Sequence, residues 1–208
     1  MSLGPHAAAP RPSPGLALFD FDGTLTTADS FLHFLLKEHG VVELARFVPW
    51  ALPKLLGWGL GVVDAKRAKE ALTAGLYRGR SVESVEAMGE HFAHAHLPAL
   101  LRPRAIERVA WHAARGHRVA VVTASFRYWI EPWARAQGLD LVATRLQERD
   151  GVLTGRFDGP NCNGHEKVRR VRERYDLRAY ERIWAYGNTA GDRPMMATAH
   201  EAQFRPFE

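Results

Sequence analysis

The stretch LALFDFDGTLT, residues 16–26, decides the fold of this chain. Its apolar residues predict a buried strand that ends at Gly23. Asp20 and Asp22 therefore lie where this strand stops. Two neighbouring acids are costly to bury unless a cation or hydrogen-bond donors meet them. Taken alone, the pair is either a charged turn or the start of a functional site.

Composition limits the kind of protein this is. The chain has 208 residues, 46% of them hydrophobic and 25% charged, which is typical of a globular protein with one sizeable core. A single cysteine, Cys162, excludes an internal disulfide, so a cytoplasmic location is expected. The net charge of +5 suits anionic ligands or membrane surfaces. No basic run is interleaved with aromatic residues, so nucleic acid is not expected as a partner.

The order of predicted elements indicates the fold class. Residues 1–14 read as a disordered leader, and residues 31–99 show helical periodicity without a convincing strand. From residue 100 onward, apolar strands alternate with amphipathic helices. We therefore predict an α/β fold with a doubly wound parallel-sheet core over 15–30 and 100–208, and a helical cap at 31–99 inserted after the first strand. Such cores bind ligands at the carboxyl ends of their strands.

Local signals place several boundaries. Asp29 or Ser30, Asp64 and Ser81 are predicted to cap the starts of three helices. The pair Asp150–Gly151 predicts a hairpin turn. The stretch DRPMMATAH predicts a last helix, and AQFRPF predicts an edge strand.

The segment FVPWALPKLLGWGLGVV, residues 47–63, is the most membrane-like part of the chain. It is shorter than the roughly 20 residues of a spanning helix and contains two prolines and a lysine. The favoured interpretation is packing among the cap helices. The alternative is contact of Trp50 and Trp58 with a membrane surface, where the substrate would be a lipid phosphate.

Polar residues follow four predicted strand ends. They are the pair Asp20 and Asp22, then Thr123, Lys167 and the loop 188–192. A magnesium phosphate site needs hard oxygen ligands for the metal, donors for the phosphoryl oxygens and a cation for developing charge. These residue types supply all three.

These residues also carry a resemblance to a known family. DFDGTLT, VVTAS, GHEKV and GNTAGD occur in the order of the four motifs of the haloacid dehalogenase-like (HAD) phosphohydrolases. The helical insertion resembles the cap of their phosphoserine-phosphatase-like branch. The resemblance covers residues 15–207. It implies a magnesium-dependent phosphatase that hydrolyses a small phosphorylated metabolite through an aspartyl-phosphate intermediate.

The resemblance also implies roles for single residues. Asp20 matches the nucleophile, Asp22 the general acid and base, and Lys167 the cation that neutralises the phosphoryl group. The residues that match the phosphate and substrate site are Thr123, Gly23, Ala124 and Ser125. The residues that match the metal site are Asp20, Asp22 through its backbone carbonyl, Asn188 and Asp192.

One position departs from the family pattern. Many members carry Gly-Asp where this chain has Gly187–Asn188. An asparagine oxygen can coordinate magnesium but adds no charge, which would leave Asp192 as the sole acidic ligand of its loop. On this assignment Asp192→Asn should abolish magnesium-dependent turnover. Asn188 also points to an alternative of another class, a non-catalytic phosphate-binding module. Among enzymes, the alternative to a phosphatase is a transferase that passes the phosphoryl group to an alcohol.

Two further features have competing interpretations. Asp29 lies where phosphoserine phosphatases carry a glutamate that reads the substrate's amino group, but a helix N-cap explains it equally well. In HFAHAH, His91 and His94 can share a helix face, whereas His96 is expected to point elsewhere. A metal site is therefore not expected at these histidines.

Overall fold

The computed structural model describes residues 15–46 and 72–208. Three predictions lie outside these ranges: the leader at 1–14, the helix opening at Asp64, and both interpretations of 47–63. Within the described ranges, no helix is long and apolar enough to cross a membrane. The cytoplasmic location and the cap boundaries at 31 and 99 stay predictions.

The described residues form seven strands, and five of them build one parallel sheet in the order β3-β2-β1-β6-β7. The strands are β1 Leu16–Phe19, β2 Arg118–Phe126, β3 Asp140–Thr144, β4 Leu146–Arg149, β5 Val152–Phe157, β6 Ile183–Gly187 and β7 Glu201–Phe204. Strand β1 lies at the centre, between β2 and β6. The predicted edge strand is confirmed as β7.

Helices cover both faces of the sheet. They are α1 Ser30–Glu38, α2 Val82–Ala95, α3 Pro103–Ala113, α4 Arg127–Ala136, α5 His165–Arg174 and α6 Arg193–Met196, with further helical residues at 40–46 and 72–77. Leu16 and Leu18 of β1 belong to one apolar cluster, and Ala17 and Phe19 to another on the opposite face. Because both faces of β1 are buried, its sequence is continuously apolar. The predicted doubly wound α/β fold is confirmed.

The predicted helix starts are confirmed where the structure describes them. The Asp29 side chain accepts a hydrogen bond from the Leu32 N–H at 2.9 Å, and Ser81 caps α2 in the same way. The prediction for DRPMMATAH is wrong in extent, because α6 ends at Met196. There the hydroxyl of Thr198 donates to the Met195 carbonyl at 2.7 Å and closes the last turn.

The helical insertion leaves and rejoins the core beside the carboxyl end of β1. The Thr27 N–H donates to the Leu100 carbonyl, and the Arg102 N–H donates to the Leu25 carbonyl, each at 2.8 Å. The insertion is therefore anchored directly after the Asp20–Asp22 pair.

The β4–β5 hairpin supports the insertion from the other side. Its turn residues Asp150 and Gly151 have φ angles of 51° and 75°, which confirms the predicted turn. The Val82 N–H at the start of α2 donates to the Gly151 carbonyl at 2.9 Å. The Leu153 N–H likewise donates to the Arg80 carbonyl at 2.9 Å.

The contact between α2 and α4 depends on Gly89. A Cβ atom at this position would lie 2.0 Å from the Tyr128 carbonyl oxygen, a backbone atom that cannot move alone.

We expect Gly89→Ala to destabilise the protein by about 1–3 kcal/mol, although alanine favours a helix by about 1 kcal/mol. Urea unfolding measures the change. Ala87→Gly, at an exposed position of the same helix, isolates helix propensity; a stabilised Gly89→Ala variant would contradict the packing described.

A buried histidine lies between α3 and the sheet. His112 is 0% exposed, and its Nε2 atom lies 2.9 Å from the Tyr186 hydroxyl. Its Nδ1 atom lies 2.8 Å from Nδ1 of His117. Burial, aided by the charges of His117, Arg108 and Arg115, lowers the pKa of His112 to about 3.

The low pKa of His112 predicts that the folded protein loses stability in acid. The unfolded chain takes up a proton near pH 6.5, whereas folded His112 stays neutral until about pH 3. Stability therefore falls as the pH falls through this window, by at most about 1.4 kcal/mol per pH unit. Unfolding at pH 7, 6 and 5 measures the slope. We expect His112→Gln to flatten it and His165→Gln, at an exposed position, to leave it unchanged; an equal slope in His112→Gln would exclude His112 as its source.

Candidate functional site

The predicted site residues lie at the carboxyl edge of the central strands. Asp20 follows β1, and Thr123 lies near the end of β2. Lys167 is in the first turn of α5, and Asp192 ends a short 3-10 helix that follows β6. This placement follows from the parallel sheet, because the ends of β1, β2 and β6 meet at one edge.

Lys167 joins two of the acids. Its side chain is 1% exposed, and its Nζ atom lies 2.6 Å from Oδ1 of Asp20 and 2.6 Å from Oδ1 of Asp192. Burial alone would lower the pKa of Lys167, but the two carboxylates outweigh it and hold that pKa above its usual value. Lys167 is therefore a permanent buried cation shared by two acids.

Asp20 is held on both oxygens. Oδ1 accepts from Lys167, and Oδ2 accepts from the Thr24 hydroxyl at 3.1 Å. Its backbone N–H donates to the Tyr186 carbonyl of β6 at 2.9 Å, which fixes the residue at the strand end. Burial raises the pKa of Asp20 to about 6, since the one ammonium is shared with Asp192. The site can therefore accommodate a further positive charge.

Asp22 faces a different set of donors. Its Oδ1 atom accepts from the Ser30 N–H at 2.7 Å, and its Oδ2 atom accepts from the Ser125 hydroxyl. Burial raises the pKa of Asp22, and the charge of Asp29 raises it further. The two acids of the first motif thus have different hydrogen-bond donors, and burial raises the pKa of both.

Both carboxylate oxygens of Asp192 accept hydrogen bonds, one from Lys167 and the other from its own loop. Its Oδ2 atom accepts from the backbone N–H groups of Asn188 at 3.1 Å and Thr189 at 2.8 Å, and from the Thr189 hydroxyl at 2.8 Å. Burial opposes ionisation, but Lys167 and these loop donors hold the pKa of Asp192 below its usual value. In this arrangement Asp192 orients Lys167 and shapes the loop.

Asn188 instead places its side chain beside Thr24. Its Oδ1 atom lies 3.3 Å from the Thr24 hydroxyl, the same hydroxyl that donates to Asp20. Gly23 makes this approach possible, because its φ is 78° and a Cβ would lie 2.2 Å from Nδ2 of Asn188. The amide of Asn188 and the carboxylate of Asp20 thus provide neighbouring hard oxygens.

The second motif, VVTAS, is linked to Asp22 through Ser125. The Ser125 N–H donates to the Thr123 hydroxyl at 3.0 Å, and Thr123 is 1% exposed. The Ala124 carbonyl accepts from the Thr144 hydroxyl at 2.9 Å. Asp22, Ser125 and Thr123 therefore form one continuous chain of hydrogen bonds.

Sequence reasoning missed three residues of the site, namely Thr24, Ser30 and Thr189. Each donates from a side chain or backbone N–H to one of the acids. Their signal is indirect: a buried carboxylate requires donors, and short polar residues beside each motif are the nearest ones. Asp29, a candidate substrate residue, caps α1 in the structure.

Comparison with known proteins gives matches over most of the chain. The haloacid dehalogenase-like hydrolase family matches residues 17–197. Protein CicA from Caulobacter vibrioides is 37% identical over 201 residues, which are 93% of this chain and 87% of that protein. Phosphoserine phosphatase from Archaeoglobus fulgidus is 31% identical over 188 residues, which are 88% of this chain and 50% of that enzyme.

A solved structure extends the likeness to the fold. The crystal structure of a protein of unknown function from Bordetella pertussis Tohama I aligns with a TM-score of 0.79 at 28% identity. The alignment covers 91% of this chain and 89% of that one. The similarity thus extends over most of the chain.

Proposed function

The chain belongs to the haloacid dehalogenase-like hydrolases and is a phosphatase of the phosphoserine-phosphatase-like kind. We propose that it hydrolyses a small phosphomonoester, that the reaction requires magnesium, and that Asp20 is phosphorylated as the intermediate. The observation that carries this proposal is the Lys167 ammonium at 2.6 Å from both Asp20 and Asp192. Phosphoryl transfer is catalysed mainly by positioning and by stabilising charge, and a buried fixed cation beside a carboxylate supplies both.

The first step uses both acids of the first motif. A carboxylate oxygen of Asp20 attacks phosphorus, and the bond from phosphorus to the ester oxygen breaks. Protonated Asp22 gives its proton to the departing oxygen, so that an alcohol leaves. Lys167 stays charged and balances the phosphoryl group on Asp20.

The second step regenerates the enzyme. Water attacks the phosphorus of the aspartyl phosphate while the Asp22 carboxylate takes the water's proton. The bond from phosphorus to Asp20 breaks, and inorganic phosphate leaves. The Ser30 N–H and the Ser125 hydroxyl hold the Asp22 carboxyl in one orientation for both steps.

The phosphoryl oxygens need their own donors. We propose that the Thr123 hydroxyl and the backbone N–H groups of Gly23, Ala124 and Ser125 supply them. In the described state the Ser125 N–H donates to Thr123 at 3.0 Å and the Gly23 N–H to Thr26 at 3.1 Å. Substrate binding would exchange these internal bonds for bonds to the phosphoryl group.

The donor set near Asp20 fits magnesium. Asp20 and Asn188 offer oxygens beside the same Thr24 hydroxyl, and the Asp22 backbone carbonyl completes the set that the family implies. Magnesium prefers hard oxygens and one or two carboxylates, with the rest of its shell filled by water and phosphate. When bound, it would supply positive charge to the phosphoryl oxygens.

We assign Asp192 to Lys167 rather than to the metal, because its oxygens already accept four hydrogen bonds.

This assignment predicts the effect of restoring a charge at Asn188. Asn188→Asp is expected to lower the magnesium concentration for half-maximal rate by about tenfold, because a second carboxylate joins the donor set. Steady-state rates across a magnesium series measure it. Gln137→Glu adds the same charge at the end of α4 and should change nothing. An unchanged magnesium requirement in Asn188→Asp would place the metal elsewhere.

A rapid-quench experiment tests the proposed function. The wild type is mixed with a generic aryl phosphate, with and without magnesium, and acid-quenched protein is analysed by peptide mass spectrometry. We expect magnesium-dependent phosphate release and a phosphorylated peptide containing Asp20. Release of the aryl alcohol without inorganic phosphate, with the phosphoryl group recovered on an added alcohol, would instead identify a transferase. Phosphate binding without any release would support the non-catalytic alternative.

A further inference from the structure

A second cluster of possible ligands lies on the insertion, at the ends of α1 and α2. It consists of Glu38, the last residue of α1, with His91 in α2 and His96 just after it. The expectation that His96 points away from His91 is wrong, since their ring centroids are 5.4 Å apart. The reason is that α2 ends at Ala95. His96, with φ −122° and ψ −38°, no longer follows the helical periodicity.

The three side chains have the spacing of a metal site. Nδ1 of His91 lies 2.9 Å from Oε1 of Glu38, and one ligand atom from each residue lies within 4.8 Å of the other two. Ligands bound to a tetrahedral zinc ion at about 2.0–2.1 Å are about 3.3 Å from one another. The Glu38–His91 pair is already this close. His96 completes the set if its ring nitrogen moves closer than the present spacing of up to 4.8 Å.

Packing holds the ligands in place. The side chain of Glu38 is 8% exposed, whereas that of His91 is 62% exposed. Phe34 of α1 meets Phe92 of α2 edge to face at 5.4 Å, and Phe92 also packs against His96. The Glu38 carboxylate is therefore largely shielded from solvent, whereas His91 is exposed, so water can reach a remaining coordination position.

We propose that Glu38, His91 and His96 form a site for a divalent transition-metal ion of the zinc type, separate from the oxygen site at Asp20. Imidazole nitrogens favour zinc and its neighbours, whereas magnesium prefers oxygen alone. The ion would tie the end of α1 to the end of α2. Since α1 begins at Ser30, whose N–H donates to Asp22, this link would steady the helix that positions the proposed acid. The inference does not depend on the proposed phosphatase chemistry.

Metal titration of the tag-free chain tests the site. Zinc binding is measured by calorimetry, and cobalt binding by its visible absorption, both with magnesium in excess to occupy the oxygen site. We expect one zinc ion per chain, with affinity weakened at least roughly 10- to 100-fold in His91→Ala and in His96→Ala. His94→Ala is the matched control. That side chain lies on the same helix, and its Nδ1 atom contacts the Glu90 carbonyl at 2.8 Å.

A stability readout separates binding from misfolding. Zinc should raise the unfolding temperature of the wild type and of His94→Ala, but not that of His96→Ala. Each protein is compared with and without zinc, because removing the His96 ring also removes its packing against Phe92 and lowers the zinc-free unfolding temperature by itself. The proposal is overturned if the wild type binds no zinc in excess magnesium, or if His94→Ala weakens binding as much as His96→Ala does.

Discussion

Asp20→Asn is expected to lower phosphomonoester turnover by at least about 10⁴-fold, since an amide oxygen cannot form the acyl phosphate. The fold should survive this change. The amide still accepts a hydrogen bond from Lys167, and one of the two buried carboxylates that share this ammonium is removed. The unfolding temperature is therefore expected at or above that of the wild type. Single-turnover phosphate release and thermal unfolding measure the two effects.

Asp176→Asn is the matched control for this prediction. Asp176 caps the 3-10 helix Leu177–Ala179 at an exposed position, and asparagine can keep that cap. Turnover and stability should both stay close to the wild type. The nucleophile is another residue if Asp20→Asn retains more than a small fraction of the wild-type activity. The same follows if the phosphorylated peptide is still found in this variant.

The central strand and its two acids could be predicted from the sequence. The stretch 16–19 is apolar at every position because it lies between β2 and β6 with helices on both faces. The polar residues that follow it must then lie at the sheet edge where parallel strands end. The meeting of Asp20, Lys167 and Asp192 follows from this order of elements. It does not require knowledge of any side-chain angle.

The partner of each oxygen could not be predicted in the same way. Asp192 accepts bonds from the backbone of its own loop, and these depend on the turn that residues 188–192 adopt. Asn188 reaches Thr24 across 164 positions of the chain. Both contacts are set by how two loops pack against each other. Sequence spacing within either loop does not contain that information.

Helix ends are the other place where periodicity fails. His96 meets His91 because the chain leaves helical geometry one residue earlier. Asp29 shows the converse, where a local rule is sufficient: the N-cap bond to Leu32 is the one that a helix starting at Ser30 requires. A pattern argument is therefore reliable inside an element and at its capped start. It is weaker at an end that no side chain caps.

Lys167→Met is expected both to abolish turnover and to destabilise the protein by about 3–5 kcal/mol, because it leaves two buried carboxylates without their cation. Methionine has a similar length and keeps the packing of α5. Arg172→Met, at an exposed position of the same helix, should change neither quantity. Urea unfolding and steady-state phosphate release measure the two effects.

A second substitution separates the structural role of Lys167 from its chemical one. Adding Asp192→Asn to Lys167→Met removes one of the two uncompensated charges, so part of the lost stability should return. Activity should not return, because no cation remains beside Asp20 to balance the phosphoryl group. If stability and activity recover together, Lys167 serves only to hold the loop 188–192 in place. If stability recovers alone, and Asp192→Asn by itself stays active, the buried ammonium acts on the phosphoryl group itself.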